Sequence, residues 1–223
     1  ALRKGVEKIG YVSSVASLSR YQSNDLVTEE DYWKDSPYNS NYSMSKYLAE
    51  QEVWRGIQEG LPAVIINPSV ILGPGDWNKG SSQMFQKVFQ GLRFYTNGGT
   101  GYVDVVDVAK SIIELVNSNK VNERYIINSE NLGYRKVFDW IAEEMNKPKP
   151  HVLVTPLLKE IAWRIEFLRS FFIRKSPLIT KETAPQSMKV TSYSNKKMCD
   201  LGFVFTPVQD SIKKYSKWFL TEN

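Results

Sequence analysis

The chain predicts an α/β protein in which part of a parallel sheet with crossover helices is followed by a smaller, mainly helical lobe. Three observations carry this. Ala63-Val64-Ile65-Ile66 is an apolar run without polar alternation, the pattern of a strand buried on both faces, as in parallel sheets. A helical stretch over residues 42–59 separates it from an earlier β-like run, and strand, helix, strand makes a right-handed crossover. Past Asn128 the texture changes to helical patterns over residues 137–145, 157–173 and 208–220, separated by proline-bearing joints.

Taken in order, Ile9-Gly10-Tyr11-Val12 is a short strand-like run that ends abruptly in Ser13 and Ser14. Residues 18–40 are polar, aromatic and turn-rich, with Asp35-Ser36-Pro37 as a breaker, and predict a surface loop. In the helix that follows, Tyr47, Trp54 and Ile57 fall near one stripe, with Met44 and Leu48 on a neighbouring one. Gly60 is a fitting stop. The buried strand after it ends at Asn67-Pro68. Asn97-Gly98-Gly99-Thr100-Gly101 resembles a phosphate cradle, but no Lys-Ser/Thr follows and no strong strand precedes it, so it predicts a tight turn. Tyr102 to Ala109 is expected to open a helix through Asn117, with Asp104 and Asp107 supporting its start. Tyr125 to Asn128 predicts another buried strand. The boundary falls there: residues 1–128 make the β/α lobe and 129–223 the second, with 76–95 contributing to the second. No internal repeat is visible.

With 223 residues, 42% hydrophobic and 24% charged, the chain suffices for one sizeable domain, or one and a half, with a buried core. Its net charge of +5 is scattered among acids and not gathered with aromatics on one segment. That predicts a mildly basic solvated surface and no nucleic-acid partner. The single Cys199 precludes an intramolecular disulfide and suits a reducing, cytoplasmic setting. The single His151 excludes a multi-histidine metal site, so no metal is expected. No run approaches the ~20 apolar residues of a membrane span. The first eight residues lack the apolar core of a signal peptide.

The chemistry centres on Tyr42-Ser43-Met44-Ser45-Lys46, a phenol and an ammonium four residues apart on one helix face. A cation beside a phenol favours the phenolate, which lets such a tyrosine give or take a proton near neutral pH. The spacing alone is weak, because Tyr193 and Lys197 share it with no helical pattern around them. What raises Tyr42 is its place between two β-like runs. Ser13-Ser14 at one strand end, Tyr42 and Lys46 on the next helix, and Asn67-Pro68-Ser69 at the next strand end would meet where open α/β sheets bind ligands. Singly, Ser14 could cap a turn, Asn67-Pro68 could end a strand and Lys46 could be a surface charge.

At these residues the sequence resembles the extended short-chain dehydrogenase/reductases, which include the NAD-dependent epimerase/dehydratases. Val12-Ser13-Ser14-Val15-Ala16, Tyr42 to Lys46, Asn67 to Gly75 and Tyr102 to Ala109 match in order, with a weaker fifth segment at Lys196 to Phe203. The resemblance looks closest to the dihydroflavonol-reductase-like and 3β-hydroxysteroid-dehydrogenase-like branch. It implies the C-terminal part of a Rossmann-type doubly wound parallel sheet plus a substrate lobe, with NAD or NADP as cofactor. It implies Tyr42 as general acid/base, and Lys46 holding the nicotinamide ribose. Ser14 would bond the substrate oxygen, Ser13 would sit by the cofactor, and Pro68, Ser69 and Val70 would border the nicotinamide. The implied substrate is a small molecule with a secondary hydroxyl or carbonyl, and the implied assembly a homodimer.

The family's glycine-rich pyrophosphate loop, and the residue that chooses between NAD and NADP, have no counterpart in these residues. Residues 1–223 alone are therefore expected neither to bind dinucleotide tightly nor to turn over substrate. A non-catalytic fragment or scaffold keeping the fold is the alternative expectation. Leu158, Ile161, Ile165, Leu168 and Phe172 form an apolar stripe, expected to pack its lobe's core or, on a sharper reading, to form an apolar lid or membrane-surface contact.

Overall fold

The computed structural model describes residues 1–18, 26–36, 39–155 and 188–222. The stripe at residues 158–172 lies outside them. Strand β1 (Ile9–Val12), helix α1 (Asn41–Gln58) and strand β3 (Ala63–Pro68) form the first crossover unit. Helix α3 (Val105–Asn117) leads to β7 (Glu123–Ile127), and the three strands lie parallel in the order β1-β3-β7. Every residue of β3 is buried, as the unbroken apolar run requires. Its side chains alternate between two layers. Ala63 and Ile65 pack with Ile57, Val53 and Trp54 of α1, whereas Val64 and Ile66 pack with Val108 and Leu115 of α3. Helices on both faces make the sheet doubly wound.

Helix α1 begins one residue before the expected start and ends one before the expected end. Ser40 caps it, its Oγ accepting from Ser43 N at 3.2 Å, and Gly60 follows at φ 93°. The chain leaves this sheet at Pro68-Ser69. Strand β4 (Val70–Leu72) pairs with β6 (Gly99–Asp104), which pairs antiparallel with β8 (Glu130–Gly133) in a second sheet.

Two expectations fail here. Gly99-Thr100-Gly101 is not a tight turn, and Tyr102 to Asp104 do not belong to a helix; all lie in β6. The glycines serve close approach. A Cβ on Gly101 would come 2.1 Å from Asn128 Oδ1, and one on Gly99 would come 2.8 Å from Leu132 O. The helix starts only at Val105, where Asp104 Oδ1 caps Val106 N at 2.7 Å. The role expected of the two acids at that start stands: Asp107 lies in its first turn.

Among the described residues of the expected surface loop over 18–40, Leu18 and residues 26–36 are also more deeply built than their polarity suggests. Strand β2 (Leu26–Val27) pairs parallel with β10 (Ser192–Tyr193), and Leu18 and Val27 are buried with Val15, Ile126 and Tyr193. Glu29 Oε1 accepts from Ile126 N at 2.9 Å, so this segment covers the open edge of β7.

Past β8, helix α4 (Tyr134–Glu144), the short α5 (Lys196–Cys199) and α6 (Val208–Glu222) follow, with α2 (Gln83–Phe89) contributed from earlier in the chain. Short strands β5 (Phe94–Tyr95) and β9 (Val152–Leu153) pair parallel beside them. Trp77, Phe85 and Val88 share one buried cluster with Val137, Ile141, Ile212, Tyr215 and Phe219. Among the described residues no helix is long and apolar enough to cross a membrane.

Candidate active site

The site forms at the carboxyl ends of β1 and β3. Ser13 N donates to Ile66 O at 2.8 Å, carrying the ladder one residue past β1. Ser14 then stays extended (φ −163°, ψ 152°) and caps the one-turn helix Val15–Ser17, its Oγ accepting from Ala16 N at 3.1 Å. That cap uses a lone pair and leaves the hydroxyl proton unspent among the described residues. The bland role and the chemical one are compatible at this serine.

Tyr42 stands in the first turn of α1 and is 58% exposed. Lys46 lies one turn on, with Nζ 5.9 Å from the Tyr42 ring centroid. The phenol oxygen and the ammonium have no hydrogen-bond or ion-pair partner among the described residues. The other pair at the same spacing is built differently. Tyr193 is a buried strand residue, whereas Lys197 belongs to α5 and reaches Glu123 at 2.8 Å.

On the β3 side, Ser69 is buried and its N donates to Ile127 O at 3.0 Å, which seats Pro68, Ser69 and half-buried Val70 at the strand end. Asn67 is fully buried, and its Oδ1 has no partner among the described residues. Ser13 is buried as well, with its hydroxyl donating to Glu50 Oε2 at 2.5 Å.

Glu50 is the residue that sequence reasoning missed. Its carboxylate is buried beneath the site and accepts from Ser13, Ser17 and Asn67 at Oε2, and from Trp54 at Oε1. Burial first, and the Glu50 charge second, push the Tyr11 phenol above its ordinary value. A signal existed: Glu50 is an acid on the Tyr47, Trp54, Ile57 stripe, where an unpartnered charge would be costly.

A parallel sheet with helices on both faces is of the Rossmann class, and here a phenol, an ammonium and a serine hydroxyl with uncommitted protons stand toward the carboxyl ends of its strands. Known proteins agree. A family of NAD-binding domains described as male sterility protein matches residues 2–122, more than half of the chain. Cinnamoyl-CoA reductase 2 of Medicago truncatula is 27% identical over 93% of this chain and 57% of its own length. A putative dihydroflavonol 4-reductase of Synechocystis is 27% identical over 98% of this chain and 66% of its own. Among solved structures, that of gox2253 superposes with a TM-score of 0.82 at 30% identity, over the whole of this chain and 69% of that one. A nucleoside-diphosphate-sugar epimerase from Pseudomonas aeruginosa, at 19% identity and a TM-score of 0.81, shares the fold. The chain belongs to this NAD-binding family of the extended short-chain dehydrogenase/reductases. It spans little more than half the length of the Medicago relative.

The cofactor class is accordingly NAD or NADP. The residues present fit its nicotinamide end alone: the polar heads of Tyr42 and Lys46, without partners among the described residues, are of the kind that would hold a ribose diol. Among the described residues no group of three or more His, Cys, Asp and Glu could hold a metal.

Proposed function

We propose that the protein is an NAD(P)-dependent oxidoreductase that moves a hydride and a proton at a carbon bearing a secondary hydroxyl or a carbonyl. The observation that carries this is the exposed Tyr42–Lys46 pair, with no other partner for either polar head among the described residues, at the carboxyl ends of parallel strands. The nicotinamide supplies the hydride when bound. Tyr42 gives its proton to the substrate oxygen, or takes one from it. The Lys46 ammonium holds the ribose hydroxyls and offsets the charge left on the phenol. Ser14, oriented by its cap, donates to the same substrate oxygen as charge develops there. Pro68, Ser69 and Val70 border the nicotinamide, and Ser13 lies beside it with its hydroxyl turned to Glu50.

Residues 129–223, with 76–95, form the substrate lobe in this reading; the buried cluster joining Phe85 to Tyr215 supports it. The curated relatives named as reductases favour carbonyl reduction over epimerisation or dehydration. The uncommitted Ser14, Tyr42 and Lys46 favour an enzyme over a scaffold, which needs no such set. We place it as a cytoplasmic homodimer on the family resemblance and the lone cysteine.

The test offers the full-length protein NADH or NADPH with a panel of aromatic aldehydes, aliphatic ketones and nucleotide-sugars. Oxidation of the reduced cofactor by an aldehyde or ketone is expected. Nucleotide-sugar interconversion without net cofactor consumption would sink the reductase reading, and inertness toward the whole panel would favour the scaffold.

A further inference from the structure

We propose that Glu50 is the positioning residue of this site, fixing where the helix that carries Tyr42 and Lys46 sits against the turn that carries Ser14. The inference rests on the reading above and extends it to a residue that never meets the reacting atoms. Glu50 lies two turns beyond Tyr42, roughly 12 Å along the axis of α1.

Glu50 is 1% exposed, and its carboxylate draws donors from its own helix and from four other parts of the chain. At Oε2 the donors are Ser13 Oγ (2.5 Å), Ser17 Oγ (2.7 Å) and Asn67 Nδ2 (2.8 Å). At Oε1 they are Trp54 Nε1 (3.2 Å) and Arg124, whose guanidinium stands at 3.5 Å. Thus the end of β1, the serine turn, the end of β3, and β7 are all bound to one acid on α1. Hydrogen bonds to a buried charge are the strong ones and define direction as well as distance.

Counting protons shows how the effect reaches Ser14. The Ser17 hydroxyl has one proton and two acceptors at 2.7 Å, Glu50 Oε2 and the Ser14 carbonyl. Against a full negative charge the proton goes to Glu50. The Ser14 carbonyl, at 3.1 Å, then shares with Ser17 Oγ, at 3.0 Å, the Asn67 amide proton that Glu50 does not take. Without the charge, Ser17 turns to the Ser14 carbonyl and Asn67 loses its anchor. The Ser14 backbone shifts relative to Tyr42, and a displacement of about 1 Å at a reacting pair costs up to ~10²-fold in rate.

The experiment compares the full-length parent with Glu50→Gln, Ser17→Ala, the double variant and Tyr42→Phe, using NADPH with phenylglyoxal and benzaldehyde as probes. Gln keeps the shape and removes the charge, and Ser17→Ala is the milder change should Glu50→Gln fold poorly. The expected result is a kcat lower by ~10-fold or more in Glu50→Gln, with KM for NADPH and probe nearly unchanged. The double variant should fall short of the product of the single effects, since both act on one network. Parental kcat in Glu50→Gln beside an inactive Tyr42→Phe would overturn the positioning role and leave the reading of Tyr42 intact. Parental turnover by Tyr42→Phe would instead overturn that reading. Amide exchange decides the point independently of turnover. Glu50→Gln should speed exchange at Ala16, Ser17 and Leu18 alone, whereas unchanged protection there, or a uniform rise across the molecule, would overturn the role.

Discussion

Lys197 Nζ lies 2.8 Å from Glu123 and donates to the Arg124 carbonyl at 3.0 Å, joining α5 to the start of β7. The Lys197–Glu123 hydrogen bond, ahead of the ammonium's charge, holds the Glu123 carboxyl below its ordinary 4.5. The folded value is the lower one, so the stabilisation is present above pH 4.5 and is lost as pH falls through the folded value. Both side chains are about a third exposed, which confines the effect to a few tenths of a kcal/mol. Urea midpoints should therefore drop more steeply below pH 4.5 in the parent than in Glu123→Gln, and parallel curves would contradict the assignment. At this scale the sequence separated two identical spacings correctly in kind. Tyr42 and Lys46 share a helix because helical periodicity surrounds them, and Tyr193 and Lys197 do not. Glu50 was harder to read because its donors arrive from Ser13, Ser17, Asn67 and Arg124. Only the assembled sheet brings those residues together.

Among the elements, strands with unbroken apolar runs were legible and the glycine-rich strand was not. Ala63 to Ile66 announces burial on both faces. Gly99-Thr100-Gly101 has almost no side chain to form a pattern, and its pairing with Asn131 to Gly133 is settled by how near the backbones come. Gly101→Ala tests that account. The new methyl would stand 2.1 Å from Asn128 Oδ1 and 2.9 Å from Ser69 Cβ, and Asn128 is tied to the Tyr193 carbonyl at 3.1 Å. Displacing it should cost ~1–3 kcal/mol. For a chain of this size that lowers Tm by roughly 2–4 °C per kcal/mol. Gly133→Ala is the control, since its nearest neighbour would be 3.7 Å away. Equal melting of both variants would show that close approach does not explain the glycines of β6. Because Ser69 borders the proposed nicotinamide position, Gly101→Ala should also weaken NADPH binding in calorimetry.

Across the whole molecule, the two largest buried clusters among the described residues organise the chain. One lies between the parallel sheet and α3, and the other joins α2, α4 and α6 to the second sheet. The first was visible in the alternation of strands and helices. The second was visible only as helical periodicity after Asn128, and the antiparallel pairing that connects it to β6 left no pattern of its own. Asp104 links them: it caps α3 and accepts from Ser211 and Tyr215 of α6, each at 2.8 Å. The central claim is the proposal that α1, seated on the parallel sheet through Val53, Trp54 and Ile57, holds Tyr42 at the strand ends as a proton donor and acceptor. Single-turnover reduction of an active carbonyl substrate by NADPH, in the full-length protein carrying Tyr42→Phe, tests it most directly. The account predicts a loss of ~10²–10⁴-fold in rate with NADPH affinity nearly unchanged. A Phe variant that reduces the substrate at close to the parental rate would contradict it.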